Sequence, residues 1–240
     1  MKRRNDRNIV VVETHKFRSG AFEACSDSLS VEEPLEIKIE FAGEVRTVAV
    51  TMRTPGNDAE LAAGFLFAES IIESFAQIHK ITQDKCNGVV VSLQAGLSFN
   101  FESLERHSFV NSSCGVCGKK SIASVLKRVA PSHSASGCSN FLQGQDLESD
   151  SFSVDSTVFA TMSRSVRLMQ SDFDTTGGIH AAAIFSKDGR LLDLREDVGR
   201  HNALDKLIGS LLKRRRLPSA ESVLFLSGRA SFELIQKAVN

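Results

Sequence analysis

Residues 35–41 alternate apolar and polar with a period of two, residues 45–52 repeat the pattern, and Ala42-Gly43-Glu44 separates the two runs. Period two turns one side of a strand to a core, so this stretch predicts a β-hairpin. Asn57-Asp58-Ala59-Glu60 reads as an N-cap with a capping-box glutamate, opening a helix whose apolar face holds Leu61, Phe65, Leu66 and Ala68. Further strands are expected at 78–82, 89–93 and 97–101. The polar residues before about Leu29 predict a loose start.

In the second half the period changes. An apolar-periodic run at 121–130 predicts a helix, and residues 132–150, rich in Ser, Gly, Asn and Gln, predict a flexible connection. Ser153-Val154-Asp155 caps a helix to about Gln170 with Val158, Met162, Val166 and Met169 on one face, a stripe expected in the core. Gly177-Gly178-Ile179-His180 enters a strand, Lys187-Asp188-Gly189 turns it and residues 190–195 return. Asp197-Val198-Gly199-Arg200-His201 leads into a helix with Ala203, Leu204, Leu207, Ile208 and Leu211 inward. Residues 223–226 read as a buried strand, and Ser227-Gly228-Arg229 opens a last helix through Phe232, Ile235 and Ala238. The predicted class is α/β in the mixed α+β sense: a loose N-terminus over 1–30, a smaller α+β part over 31–110 and an αβα-layered domain over 111–240.

Composition narrows the function classes. Lys+Arg 29 balances Asp+Glu 29, so no overall field draws the chain to nucleic acid or an anionic membrane, and any anion site is local. The run Lys213-Arg214-Arg215-Arg216 reads as a solvated helix end. No stretch is long and apolar enough for a signal h-region or a membrane span. Five irregularly spaced cysteines argue against a disulfide framework and fit a reducing cytoplasm.

Two of those cysteines carry the candidate chemistry. Ser112-Ser113-Cys114-Gly115-Val116-Cys117-Gly118-Lys119-Lys120 sets Cys114 and Cys117 at the mouth of the 121–130 helix, where the dipole and two lysines favour thiolate. From spacing alone three readings stay open. Zinc would need His133 and Cys138 as the second pair of ligands, and both fall in the flexible stretch. A dithiol oxidoreductase would need a strand just before the pair. A persulfide carrier needs a glycine-rich loop, local positive charge and one essential cysteine, all present here. Cys25, Cys86 and Cys138 have no partner spacing. The other candidates are anion-binding: Gly177, Gly178, His180, Arg200, His201, Gly228 and Arg229 fall at turns that one sheet edge could gather, with helix N-termini and arginines for phosphate. The competing reading is that these glycines only permit turns and the arginines pair with Asp197 and Glu233.

Ser113-Cys114-Gly115-Val116-Cys117-Gly118, residues 176–183, residues 195–206 and residues 227–233 together resemble the FdhD family, the formate dehydrogenase accessory sulfurtransferases. The resemblance implies a sulfur carrier that takes persulfide sulfur from a cysteine desulfurase and delivers it to molybdopterin guanine dinucleotide for formate dehydrogenase. It further implies a cytidine-deaminase-like fold without a tightly bound metal, a cytoplasmic homodimer, Cys114 as the persulfide-forming residue and Cys117 as its neighbour. Family members continue beyond the last helix to a basic segment that contacts the cofactor, whereas this sequence stops at Asn240, so those residues are not carried over. The alternative is a non-catalytic cofactor-binding chaperone whose cysteines bind zinc or stabilise a loop.

Overall fold

The computed structural model describes residues 8–84, 86–97, 101, 152–217 and 221–239. The 121–130 helix, the 132–150 connection, Cys114, Cys117, His133 and Cys138 lie outside them.

The expected hairpin is β3 (Glu33–Phe41) and β4 (Glu44–Arg53), turned by Ala42 and Gly43 at φ 52° and 82°. Two successive positive φ angles match the right-handed twist of the strands, and glycine takes the second at little cost. With β5 (Ile78–Gln83) and β6 (Gly88–Leu93) they form a four-stranded sheet in the order β4-β3-β6-β5, β3 and β6 running parallel. Leu35, Ile37, Ile39, Val89 and Val91 point from it onto Leu61 and Leu66 of helix α1 (Asp58–Ala68).

Helix α1 starts where expected but for a different reason. Asn57 adopts the left-handed conformation and its side chain caps nothing; Asp58 instead receives the Arg53 guanidinium at 2.9 and 3.0 Å. Glu60 does not close a capping box either, since it accepts from Arg195 at 2.6 and 3.2 Å.

Residues 152–239 build the αβα layering expected from their pattern. Helix α2 (Ser156–Met169) and the short α3 (Ser171–Thr176) precede β7 (His180–Ser186), β8 (Leu191–Asp197), helix α4 (Arg200–Lys213), β9 (Ser222–Leu226) and helix α5 (Phe232–Val239). The three strands form a sheet in the order β8-β7-β9. Ala182 and Ile184 of β7 pack against α4, while Ala181, Ala183 and Phe185 pack against Met162 and Val166 of α2. Met169 is 60% exposed, not part of that core, because the chain leaves α2 there to form α3. Strand β9 is half-buried rather than buried, as befits an edge strand.

Helix α4 holds the two halves together. Residues 202–212 are all buried, the apolar set facing the three-stranded sheet and the other side facing α1. The α1 contact is glycine on glycine: a Cβ at Gly209 would fall 1.9 Å from Glu60 O, and one at Gly64 1.8 Å from Asp205 O. Opposite the last helix, Asp205 is buried and receives Lys237 Nζ at 2.8 and 2.7 Å. That pair decides which face of α5 turns inward. Leu234 and Lys237 are buried, and Phe232, Ile235 and Ala238, through which the helix is expected to run, are exposed.

Two further differences concern strands. Residues 9–30, expected loose, form a hairpin of β1 (Ile9–Arg18) and β2 (Ala21–Ser30), turned by Ser19 and Gly20 at φ 49° and 87°. Its faces are largely exposed, so no apolar alternation marks it in the sequence. At the expected 97–101 strand, Leu97 is outside any strand, Phe101 is helical and 98–100 lie outside the described residues.

Candidate functional site

The β8-β7-β9 register gathers the three turns at one end of the sheet. His180, the first residue of β7, lies opposite Asp197, the last of β8, and Ala182 lies opposite Leu226, the last of β9. Ser227 closes this end: its N–H donates to Ala181 O at 3.0 Å, and its Oγ accepts from Ala181 N at 2.9 Å and lies 3.3 Å from His180 Nδ1. The His180 ring and the Arg200 side chain both come to within 3.4 Å of where a Gly228 Cβ would stand. Across α4, His201 Nε2 lies 3.2 Å from Glu233 Oε2 and 3.4 Å from Ser231 Oγ.

Of the predicted candidates, His180, Arg200, His201 and Gly228 thus converge. Gly177 and Gly178 lead into His180 but face open space; Gly177, at φ 67°, ends α3 and donates to Phe173 O at 2.8 Å. Arg229 follows Gly228 and is exposed. Of the acids weighed as partners for the arginines, Asp197 receives Lys206 at 2.6 Å and Glu233 lies 3.2 Å from His201.

Burial and the Arg200 charge set the electrostatics. Burial lowers the His180 pKa, with Arg200 adding to the effect and Asp197 opposing it. His201 is pushed down to about 4, first by burial, then by Arg200, Lys237 and His180. At neutral pH the His201 ring is therefore neutral, and its contact with Glu233, although at ion-pair distance, is an Nε2–H hydrogen bond to the carboxylate. Arg200 supplies the cationic charge at the α4 N-terminus. Gly199 is the N-cap there and contributes no side-chain cap, while its own N–H donates to Asp197 Oδ1 at 2.8 Å.

Behind this surface lies a polar seam that sequence reasoning missed. Asp197 is fully buried and accepts from Gly199 N at 2.8 Å, Asn202 Nδ2 at 3.2 Å and Thr54 N at 3.2 Å, besides Lys206. Lys206 also donates to Thr54 O at 2.8 Å, Val198 N to Thr54 Oγ1 at 3.0 Å and Asn202 Nδ2 to Met52 O at 2.7 Å. The 195–206 motif thereby fixes the α4 N-terminus to the end of β4. A signal was present: Asn202, Asp205 and Lys206 interrupt the apolar run at positions the helical period turns away from the sheet.

Elsewhere, an apolar cavity of about 730 Å³ opens between α4, α5 and β9, lined by Leu204, Leu207, Ile208, Leu211 and Leu224. It contains none of the converging residues, and Arg215 and Lys237 stand among its otherwise mostly apolar lining. Cys25 is half-buried and Cys86 exposed. Among the described residues no group of three His, Cys, Asp or Glu side chains could hold a metal ion, and no helix is long and apolar enough to cross a membrane.

Comparison with known proteins gives the family of the chain. A protein from Mycolicibacterium paratuberculosis, named sulfur carrier protein FdhD, is 43% identical over 232 residues, covering 92% of this chain and 78% of the relative. Proteins of the same name from Streptomyces coelicolor and Sulfolobus acidocaldarius are 40% and 38% identical, covering 93% and 95% of this chain and 77% and 79% of theirs. The crystal structure of a protein from Desulfotalea psychrophila, described as a formate dehydrogenase accessory protein, superposes with a TM-score of 0.62 at 21% identity, over 96% of this chain and 79% of that one, and shares the fold. The pattern of the FdhD/NarQ family matches residues 30–240, which span all three turns, the seam behind them and the Cys114-Gly115-Val116-Cys117 stretch. With most of its length and every converging residue inside that match, the chain belongs to the FdhD/NarQ family.

Proposed function

We propose that the protein is a sulfur carrier serving formate dehydrogenase, with Cys114 holding the sulfur as a persulfide. The observation that carries this is the set of relatives named sulfur carrier protein FdhD, 38 to 43% identical over nearly the whole chain. The residues supply the chemistry. A Cys114 thiolate, favoured by Lys119 and Lys120, attacks the outer sulfur of a cysteine desulfurase persulfide and the desulfurase thiolate leaves. Handing that sulfur on regenerates the Cys114 thiolate, and Cys117 assists. This is sulfurtransferase activity with a covalent intermediate, carried out by a homodimer in the cytoplasm.

The acceptor in this reading is the molybdenum of molybdopterin guanine dinucleotide, whose metal centre supplies the site that takes the sulfur. The converging turns fit its guanine nucleotide end. The N–H groups of the first α4 turn and the Arg200 guanidinium bind phosphate, and Gly177, Gly178 and Gly228 leave backbone accessible. Neutral His180 and His201 add hydrogen-bonding groups without repelling Arg200.

Incubation with a cysteine desulfurase and cysteine, followed by intact mass measurement, tests the carrier step. One added sulfur atom is expected, lost in Cys114→Ala together with activation of formate dehydrogenase, whereas Cys117→Ala loses activation less completely. An unchanged mass would favour the chaperone reading. Nucleotide binding is tested separately by calorimetry with guanosine diphosphate at fixed salt. Arg200→Ala weakens it by about ten-fold or more, and exposed Arg229→Ala by less, with persulfide loading intact. Unchanged affinity in both removes these turns from the site.

A further inference from the structure

The β1–β2 hairpin stands apart from everything described so far. Among the described residues it is held at its base, through Ser30 Oγ to Thr176 Oγ1 at 2.7 Å and Asn8 Nδ2 to Asp172 Oδ2 at 3.2 Å, both on α3. Strand β1 has β2 on one side and, among the described residues, no strand on the other. Val11, Phe17 and Phe22 are 68%, 64% and 74% exposed, the two rings tilted at 57° to each other with centroids 5.1 Å apart. A two-stranded ribbon is marginal in water, and a long open edge invites another strand. β1 and all but the last residue of β2 precede the family match, which begins at residue 30.

The hydrogen-bond parity of the open edge is fixed. Val31 N–H donates to Asn8 O at 2.8 Å, one step before the Ile9–Ser30 pair, and the two-residue turn closes on Arg18–Ala21. Even-numbered residues of β1 therefore turn their backbone groups to β2, and Ile9, Val11, Glu13, His15 and Phe17 turn theirs outward. An antiparallel second copy must match odd residues with odd. Centring on Thr14 does so and sets Val11 opposite the partner's Phe17 and Glu13 opposite the partner's His15. Centring on Glu13 or on His15 instead puts like residues face to face.

We propose that β1 is an interface for a second copy of this chain, the two β1 strands pairing antiparallel about Thr14 to make a four-stranded sheet β2-β1-β1-β2 with two-fold symmetry. The edge is self-complementary in apolar contact and in backbone parity, and it sets the Glu13 carboxylate opposite a hydrogen-bonding imidazole. Each Val11 covers a Phe17 ring that the isolated ribbon leaves in water. This surface says where two copies meet and is independent of sulfur transfer.

Sedimentation velocity of the full chain across a micromolar series tests it by mass alone, and persulfide loading at Cys114 is read separately by intact mass. The native protein is expected at twice its 26.1 kDa chain mass. His15→Glu, which opposes like charges at two symmetry-related pairs, raises the dimer dissociation constant by about ten-fold. Glu13→Lys added to His15→Glu sets opposite charges face to face and restores the dimer. Both side chains face only Ser26 and Ala24 across their own ribbon, so the hairpin keeps its register. A native monomer, a dimer indifferent to His15→Glu, or one that the double substitution fails to restore would each overturn the proposal.

Discussion

Gly209→Ala is expected to destabilise the protein by about 3 kcal/mol or more, although on an isolated helix the same change stabilises by about 1 kcal/mol. The reversal comes from the α1–α4 crossing. The added methyl would stand 1.9 Å from Glu60 O, 2.7 Å from Glu60 C and 2.9 Å from Gly64 N. All three are backbone atoms, which no rotamer change can move aside. To make room α1 must lift from α4, and both helices are anchored on opposite sides, α1 by Leu61 and Leu66 on the four-stranded sheet and α4 by Leu204 and Leu207 on the three-stranded one. Against a total stability of about 5–15 kcal/mol the loss is large. The chain has no Trp and no Tyr, so far-UV circular dichroism in urea, not fluorescence, is the measurement. An unchanged or raised midpoint for Gly209→Ala would show that the helices do not cross at these glycines.

The second large effect belongs to Lys206. Its ammonium and the Asp197 carboxylate are 2.6 Å apart with almost no exposure, and truncating one partner of such a pair typically costs about 3–5 kcal/mol because the other charge stays buried. Lys206→Met keeps the length of the side chain and removes the charge. Burial already holds the Asp197 carboxyl above its ordinary pKa, with Lys206 opposing that, so the substitution pushes it higher. The sign follows from proton binding. A carboxyl whose folded pKa lies above its unfolded value takes up protons on folding, so stability falls as pH rises through that range. Lys206→Met should therefore lose more stability at pH 8 than at pH 5. Adding Asp197→Asn removes the stranded charge, so the double variant should recover part of the loss and flatten the pH profile. Equal losses at both pH values would mean that Asp197 does not carry the charge in the seam.

The sequence exposes those elements in which one face meets a core and the other meets water. Strand β3 alternates cleanly because Leu35, Ile37 and Ile39 point inward between polar neighbours, and the sheet-facing stripe of α4 is visible for the same reason, whereas Val45, Val50 and Met52 of β4 are exposed. Periodicity fails where burial is polar or absent. In α5 a lysine takes an inward position because Asp205 waits opposite, so an apolar count selects the wrong face. The β1–β2 ribbon offers no buried stripe to count. Asn57 carries the expected cap residue type, yet the helix start is fixed by the Arg53–Asp58 pair, which links positions in different elements. At the site, the glycines and histidines of the turns were legible from their clustering in sequence. The hydrogen-bonding duties of Asp197 and Asn202 required the fold, since Thr54 and Met52 lie about 150 positions earlier.

The polar seam also governs what the intervening chain is free to do. Thr54 and Asp197 meet across a sequence separation of 143, spanning β5, β6, the stretch with Cys114 and Cys117, and α2. Closing a loop of that size costs entropy that grows only with the logarithm of its length, so even doubling it adds about 0.6 kcal/mol. Truncating Lys206 beside Asp197 is expected to cost several fold more than that, about 3–5 kcal/mol. The closure entropy is therefore insensitive to how much chain lies between the two residues.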